Sequence, residues 1–420
     1  MALENILKGH CWEGACQLNC RAFPPRQSLK GSAMKMVPVA ARARLLLATK
    51  IAVFASVAFL GCNAPSATNL ASAPGGPGAP TAPTASSSNF TTVGNMATAR
   101  ANQIAVLLPT GKVLIAGGVT LAYPQQSALA SAELYDPSAG TFSPASDMST
   151  ARGYPSAVLL NNGKVLVVGG AQPLSAELYD PSTGVFTTAG NMIADGAPNR
   201  IPLTLLSSGK VLVGSVPSQI YDPGTGAFSS NVAYPDPNPL WWTTTPLLNG
   251  KVLLNGWTTP GAATELYDPA TDAFTTTGTP KNWEDVYTAT LLANGKVLFA
   301  GSDPDIANPG QAEVYDPAAG TFTSIANTSP VTPEDFAAAV RLPNGTVMIT
   351  GGQLIGGSGG TSAELYDPTS GNFTSLGNMN MGRHTHTATL LPDGAVLIAG
   401  GYNVWPTATS SAEIYRPTGH

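Results

Sequence analysis

Charge is scarce along this chain. Asp, Glu, Lys and Arg make up 11% of its 420 residues, less than half of the roughly 25% in an ordinary soluble domain. A net charge of −5 gives no reason to expect nucleic-acid binding, which needs a basic face to neutralise phosphates. Cysteine is absent beyond Cys62, the others being Cys11, Cys16 and Cys20. No disulfide can therefore staple whatever folds after that point. The C-x4-C-x3-C spacing of the first three also fits poorly with paired zinc ligands. Long apolar runs are lacking too. Ile51 to Leu60 is about ten residues, against ~20 for a membrane-spanning helix. What is plentiful is glycine (45) and proline (36), the residues of tight turns between many short strands.

The short apolar run has the flanks of a secretory signal. Lys35, Arg42, Arg44 and Lys50 precede it as a positive n-region, and its length is that of an h-region. Translation is expected to start at Met34 or Met36, leaving residues 1–33 as an upstream over-extension. The run ends in Ala58-Phe59-Leu60-Gly61-Cys62, which resembles a bacterial lipoprotein lipobox. That resemblance implies cleavage before Cys62 and a lipidated cysteine, placing the protein on the outer membrane or cell surface; periplasmic or secreted is the alternative. Residues 63–88, rich in Pro, Ala, Gly, Ser and Thr, hold nothing large enough for a core and read as a tether.

From residue 89 a single repeat takes over. Strand-like runs end in Tyr-Asp-Pro or a variant at Tyr135, Tyr179, Tyr221, Tyr267, Tyr315, Tyr366 and Tyr415. Each follows a Gly-Lys-Val-Leu strand or its relative, beginning at Gly111, Gly163, Gly209, Gly250, Gly295, Gly345 and Gly394. The spacing is about 47 residues, in the range of propeller-forming repeats. One unit reads as four strands, a to d. Strand a alternates (His386 to Leu391), and Pro392-Asp393-Gly394 turns the hairpin. Strand b (Ala395 to Ala399) is apolar on both faces and ends in Gly400-Gly401. Strand c is the Ala-Glu-Leu-Tyr segment, and strand d opens on a Phe. Seven a–b–c sets have only six d strands after them. Asn89-Phe90-Thr91-Thr92-Val93-Gly94-Asn95-Met96, nearly identical to residues 372–379, supplies the seventh.

A Gly-Gly pair, then Tyr-Asp, then an aromatic opening the last strand: in these residues 89–420 resembles the kelch repeat, with Phe in place of the usual Trp. The implied fold is an all-β, seven-bladed propeller, closed by an N-terminal strand that completes the last blade. The Gly-Gly pair decays to Gly214-Ser215, Asn255-Gly256 and Ala300-Gly301, so blades 3 to 5 diverge. The phrase Leu-Leu-Pro-Asp-Gly with its following strand is also similar to the galactose-oxidase family. The copper site of that family needs a Cys cross-linked to Tyr, another Tyr and two His, and no Cys lies in the repeats. The sialidase Ser-x-Asp box is not found.

Chemistry must therefore be sought where the repeat is broken. The recurring Glu and Asp of Glu-Leu-Tyr-Asp-Pro recur because they are structural. His384 and His386 form an H-x-H pair, but no third His or Cys accompanies them between residues 89 and 419, and no metal or other cofactor is expected. The loop entering strand a is the candidate. It carries Arg383, Arg100, Arg152 and Arg200 on one arc, Trp241 and Trp242 at a junction, and Glu284, Asp285 and Glu334 on the other arc. Such a mouth suits a zwitterionic or carboxylated ligand, with Arg forks gripping oxygens and Trp stacking. The alternative is that these charges pair within the fold. Function is then expected to be non-catalytic binding of a protein or glycan by a monomer that touches the membrane only through its N-terminal lipid. The other reading is an enzyme on a sugar or sugar acid, as the kelch-type mutarotases show to be possible, using Glu284, Asp285 or Glu334 as acid/base.

Overall fold

The structure is a computed structural model. It describes residues 89–417 except 123, 124, 126, 172–173, 194–200, 231–232, 236–239, 258–261, 281–287, 302–311, 326–335 and 355–356. The described residues contain strands and no helix. Seven four-stranded antiparallel sheets follow in chain order. Blades 1 to 6 span 104–144, 156–191, 203–230, 240–276, 288–325 and 338–378, and blade 7 joins 387–415 to 90–92. Strand a of each blade touches strand a of the next all the way round, and blade 7 meets blade 1. The ring is thus closed around a channel lined by the seven a strands.

Burial explains why these residues form blades. Strand b is buried along its whole length, as in Val113–Ala116 and Val396–Ala399, because both of its faces meet a neighbouring sheet. Seven apolar clusters result, each shared by two adjacent blades. One joins Val113, Ile115 and Tyr135 of blade 1 to Leu397, Ala399 and Ile414 of blade 7. On strand c the Tyr is buried and meets the Phe that opens strand d. The ring centroids are 4.9 Å apart for Tyr135–Phe142 and 5.0 Å for Tyr366–Phe373. That inclined contact is one aromatic pairs favour.

The Asp after each Tyr works in the c–d turn. Asp136 accepts from the Ser138 amide at 2.9 Å and pairs with Lys112 at 3.0 Å. Asp180 repeats this with Ser182 and Lys164, which lowers its carboxyl to about 2. The last blade lacks the Asp; there Arg416 pairs with Asp393 of the a–b turn at 2.8 Å. These pairs are largely exposed and contribute little stability.

Closure uses the N-terminal strand Phe90–Thr92. It pairs antiparallel with Ala412–Tyr415, in the register Phe90↔Tyr415 and Thr92↔Glu413. Phe90 is 3% exposed and packs on Tyr415 with Leu342, Met348 and Val396 between blades 6 and 7. Deleting through Met96 exposes an unpaired edge and removes this burial, whereas deleting through Ser88 removes neither. The first truncation is expected to melt well below the second, and Phe90→Ala alone to cost about 3 kcal/mol. Thermal melts of the three proteins check this, and equal melting temperatures would show that the segment is not part of the ring.

Candidate functional site at the channel mouth

The linkers that run from strand d of one blade to strand a of the next surround one end of the channel. Arg383, Arg100 and Arg152 lie on three consecutive linkers, but each residue is 0% exposed. The Nη atoms are engaged by the fold. Arg383 donates to Glu413 Oε1 at 2.8 Å and to the Gly400 carbonyl at 2.8 Å. Arg100 donates to Glu133 at 2.9 Å and Gly117 at 3.0 Å, and Arg152 to Glu177 at 3.1 Å and Gly169 at 2.9 Å. All three also reach both oxygens of a Ser, at 411, 131 and 175 respectively. Burial pulls the three guanidinium pKa values down, and the facing glutamates oppose that pull.

The same three residues hold the preceding blade through their main chain. The amides of Gly352, Gly401 and Gly118 donate to the carbonyls of Arg383, Arg100 and Arg152 at 3.0, 2.9 and 2.9 Å. Each arginine is thus a strap between two Gly-Gly corners, one on either side. The corners must be glycine because the linker backbone presses on them. Gly118 has φ +89°, and a Cβ there would meet the Ala101 carbonyl at 2.5 Å. The glutamate end of the strap also accepts linker amides, from Ala97, Ser149 and Asn380 at 2.7, 2.7 and 2.8 Å. Blade 3 lacks the full corner, with Gly214-Ser215, and also lacks the charge. Gln219 stands in place of the Glu, accepting from the Ile193 amide at 2.7 Å and donating to Ser215 Oγ at 2.9 Å.

The expectation of an arginine clamp for an anionic ligand is therefore corrected. Arg100, Arg152 and Arg383 do not open on the mouth, because each is consumed by a buried carboxylate and by carbonyls. Trp241 is corrected as well. It lies within strand a of blade 4 (Leu240–Pro246) and is buried with Leu206, Tyr234 and Tyr267 between blades 3 and 4. Arg200, Glu284, Asp285, Glu334, Cys62 and the side chain of Trp242 lie outside the described residues.

What the linkers do bring together is a cavity of about 280 Å³ shared by blades 7, 1, 2 and 3. Its walls include Asn102, Gln103, Ser156, Thr385, His386 and Thr387. Asn102 and Thr385, two residues past the strap arginines, take φ +57° and +52°. That region is uncommon for Asn and a real outlier for β-branched Thr. Their backbones join round the mouth: the Asn102 amide donates to Thr385, and the Thr385 amide to Phe336, at 3.1 and 3.0 Å. The signal for this cavity was present in the sequence as a polar residue three positions after the Arg, Gln103 and His386. Also missed was Trp405, 41% exposed on a hairpin of blade 7 and stacked on His384 at 6.2 Å.

No protein-family model and no curated protein matches the chain. Among solved structures it is similar to a fungal alcohol oxidase of the AA5 family in complex with copper. The two share 19% identity over 78% of this chain and 75% of the other, with a TM-score of 0.61. The chain is a seven-bladed β-propeller. At that identity the likeness speaks for the fold alone. The described residues do not fit a copper centre. His386 Nε2 is bonded to Thr350 Oγ1 at 2.9 Å, and the His384 ring is packed against Tyr402, Trp405 and Phe336. No group of three or more His, Cys, Asp or Glu occurs among the described residues that could hold a metal ion.

Two outcomes follow from the straps and the cavity wall. Removing one partner of a buried ion pair leaves the other uncompensated, so Arg383→Ala is expected to destabilise the propeller by about 3–5 kcal/mol, read from urea unfolding. His386 is held well below the usual 6.5, chiefly by burial and then by Arg383 and His384. The unfolded chain binds a proton near pH 6.5 that the fold refuses. Its contribution is therefore complete above pH 6.5 and lost as the pH falls below it, by up to about 1.4 kcal/mol per unit. His386→Asn should flatten that part of the pH dependence, and an unchanged slope between about pH 7 and 5 would contradict the assignment.

Proposed function

We propose that this chain is a non-catalytic binding propeller of the cell envelope, anchored by lipid on Cys62, which takes a protein or glycan at the face that carries the inter-blade linkers. The observation that carries the reading is the make-up of the mouth cavity. Its described walls are amide, hydroxyl, imidazole and proline groups from four blades, with no carboxylate or cation among those described residues. Polar groups converging in a concave site are the usual mark of a binding pocket. Acid/base catalysis instead needs a pair of titratable groups with pKa values set apart, and among the described wall residues His386 stands without a second. A sugar-acid enzyme would also need a carboxylate clamp, and the three described arginines are already paired within the fold.

Beside the mouth, Leu354, Val404 and Trp405 are 40%, 64% and 41% exposed on adjacent hairpins of blades 6 and 7, which are joined by a Ser358–Val404 bridge. An aromatic and apolar patch next to a polar cavity gives a ligand contact area in addition to orientation. A glycan array and an envelope pull-down, run with the full chain and with Trp405→Ala, test this. The expected result is retention of a ligand without turnover, weakened about tenfold in the variant. Chemical conversion of the retained ligand would contradict it. Intact mass reads the anchor: acyl mass on a chain beginning at Cys62 is expected, and a mature chain beginning downstream would refute the anchoring.

A further inference from the structure

The mouth cavity contains two buried polar atoms that the fold leaves unanswered. Gln103 is 6% exposed and donates Nε2 to the Ala399 carbonyl at 2.8 Å, while its Oε1 has no partner. His386 is 7% exposed and uses Nε2 on Thr350 at 2.9 Å, while its Nδ1 has none. Both residues line the same cavity, with Ser156 and Thr387 beside them. Buried polar atoms without partners call for an explanation; others occur elsewhere among the described residues, such as Tyr221 Oη and Asn255 Oδ1, but these two line one cavity. Here they occur together, at the entries to the innermost strands of two adjacent blades, behind a mouth whose backbone is held at positive φ at Asn102 and Thr385. Strained positions of this kind cluster at ligand-binding sites.

We infer that this cavity binds a neutral, hydroxylated ligand: a polyol, or a single sugar unit standing free or at the end of a glycan. The inference rests on the proposal that the propeller is a binding module, and it narrows the ligand class. Three arguments lead to it. Gln103 Oε1 can only accept, and His386 Nδ1 accepts or donates according to tautomer. A hydroxyl group does both, so one or two ligand hydroxyls answer either arrangement. The described residues of the wall include no ion to pair with a charged ligand, and a carboxylate or ammonium placed against them would lose its water without compensation. His386 stays neutral in this burial, which keeps it so. Finally, the volume of about 280 Å³ is several times the ~30 Å³ share of one water, which leaves room for a sugar ring against the wall.

Calorimetry and saturation-transfer NMR on the full chain decide it, with glucose, galactose, mannose and sorbitol against glucuronate and glucosamine. A glycan array bearing the same sugars at its ends separates the free from the terminal form. At least one neutral compound should bind, about tenfold or more tighter than the charged compound of the same size. Gln103→Leu and His386→Phe should each weaken it about tenfold. Ser156→Ala and Thr387→Val, at less buried positions, supply a second test should the first pair fail to fold, and each should weaken binding several-fold. Binding of no neutral compound would overturn the inference, as would equal or better binding of the charged ones. The two claims fail separately. A charged or protein ligand overturns this inference and leaves the binding module standing. Turnover of a neutral sugar would overturn the non-catalytic reading and leave the ligand class standing.

Discussion

The linker arginine is the interaction on which this end of the propeller depends. Blades attract one another through apolar faces, and that force is strong but not directional. It does not say how far one sheet rotates against the next. The strap does, because its carbonyl holds one Gly-Gly corner and its guanidinium the other at about hydrogen-bond distance. Taking a guanidinium fully out of water is costly, and only a geometry that satisfies it with a carboxylate and carbonyls makes it tolerable. That geometry is repeated at blades 7, 1 and 2. The buried pair thus fixes the position of the linker, and the linker in turn places Asn102, Gln103, Thr385 and His386 around one cavity.

The strap also accounts for the divergence of blade 3. Where the arginine and glutamate are present, the corner is Gly-Gly, since the backbone of the linker lies against it. In blade 3 the acid has become Gln219 and the second glycine Ser215, and the serine hydroxyl takes the amide. The change in charge and the change in corner go together because they are parts of one contact. Decay of the motif is therefore a local rewiring, with the sheet order of blade 3 unaltered.

The fold was almost wholly legible in the sequence, because each structural feature is written seven times. The Tyr-Asp-Pro turns, the twice-buried strand b and the borrowed strand at Phe90 all stand where the repeat puts them. The mouth was less legible. Arg100, Arg152 and Arg383 stood out as charges in a chain with few, and a charge on a linker reads as exposed. Their partners, Glu133, Glu177 and Glu413, are some thirty residues further on, within a motif already assigned to strand c. Linear spacing does not show that the two ends meet. Gln103 escaped notice, and His386 was weighed only as half of an H-x-H pair, for the opposite reason: each is a polar residue at the start of a β-prone run, and only closing the ring brings them together.

Native-state hydrogen exchange on the linkers tests the central claim most directly. If the straps are integral to the fold, the amides of Gly118, Gly352 and Gly401, and of Ala97, Ser149 and Asn380, should exchange only through global unfolding, as the core b strands do. Exchange of these amides through local opening, much faster than that of the b strands, would show that the linkers move freely and that the arginines do not hold the ring.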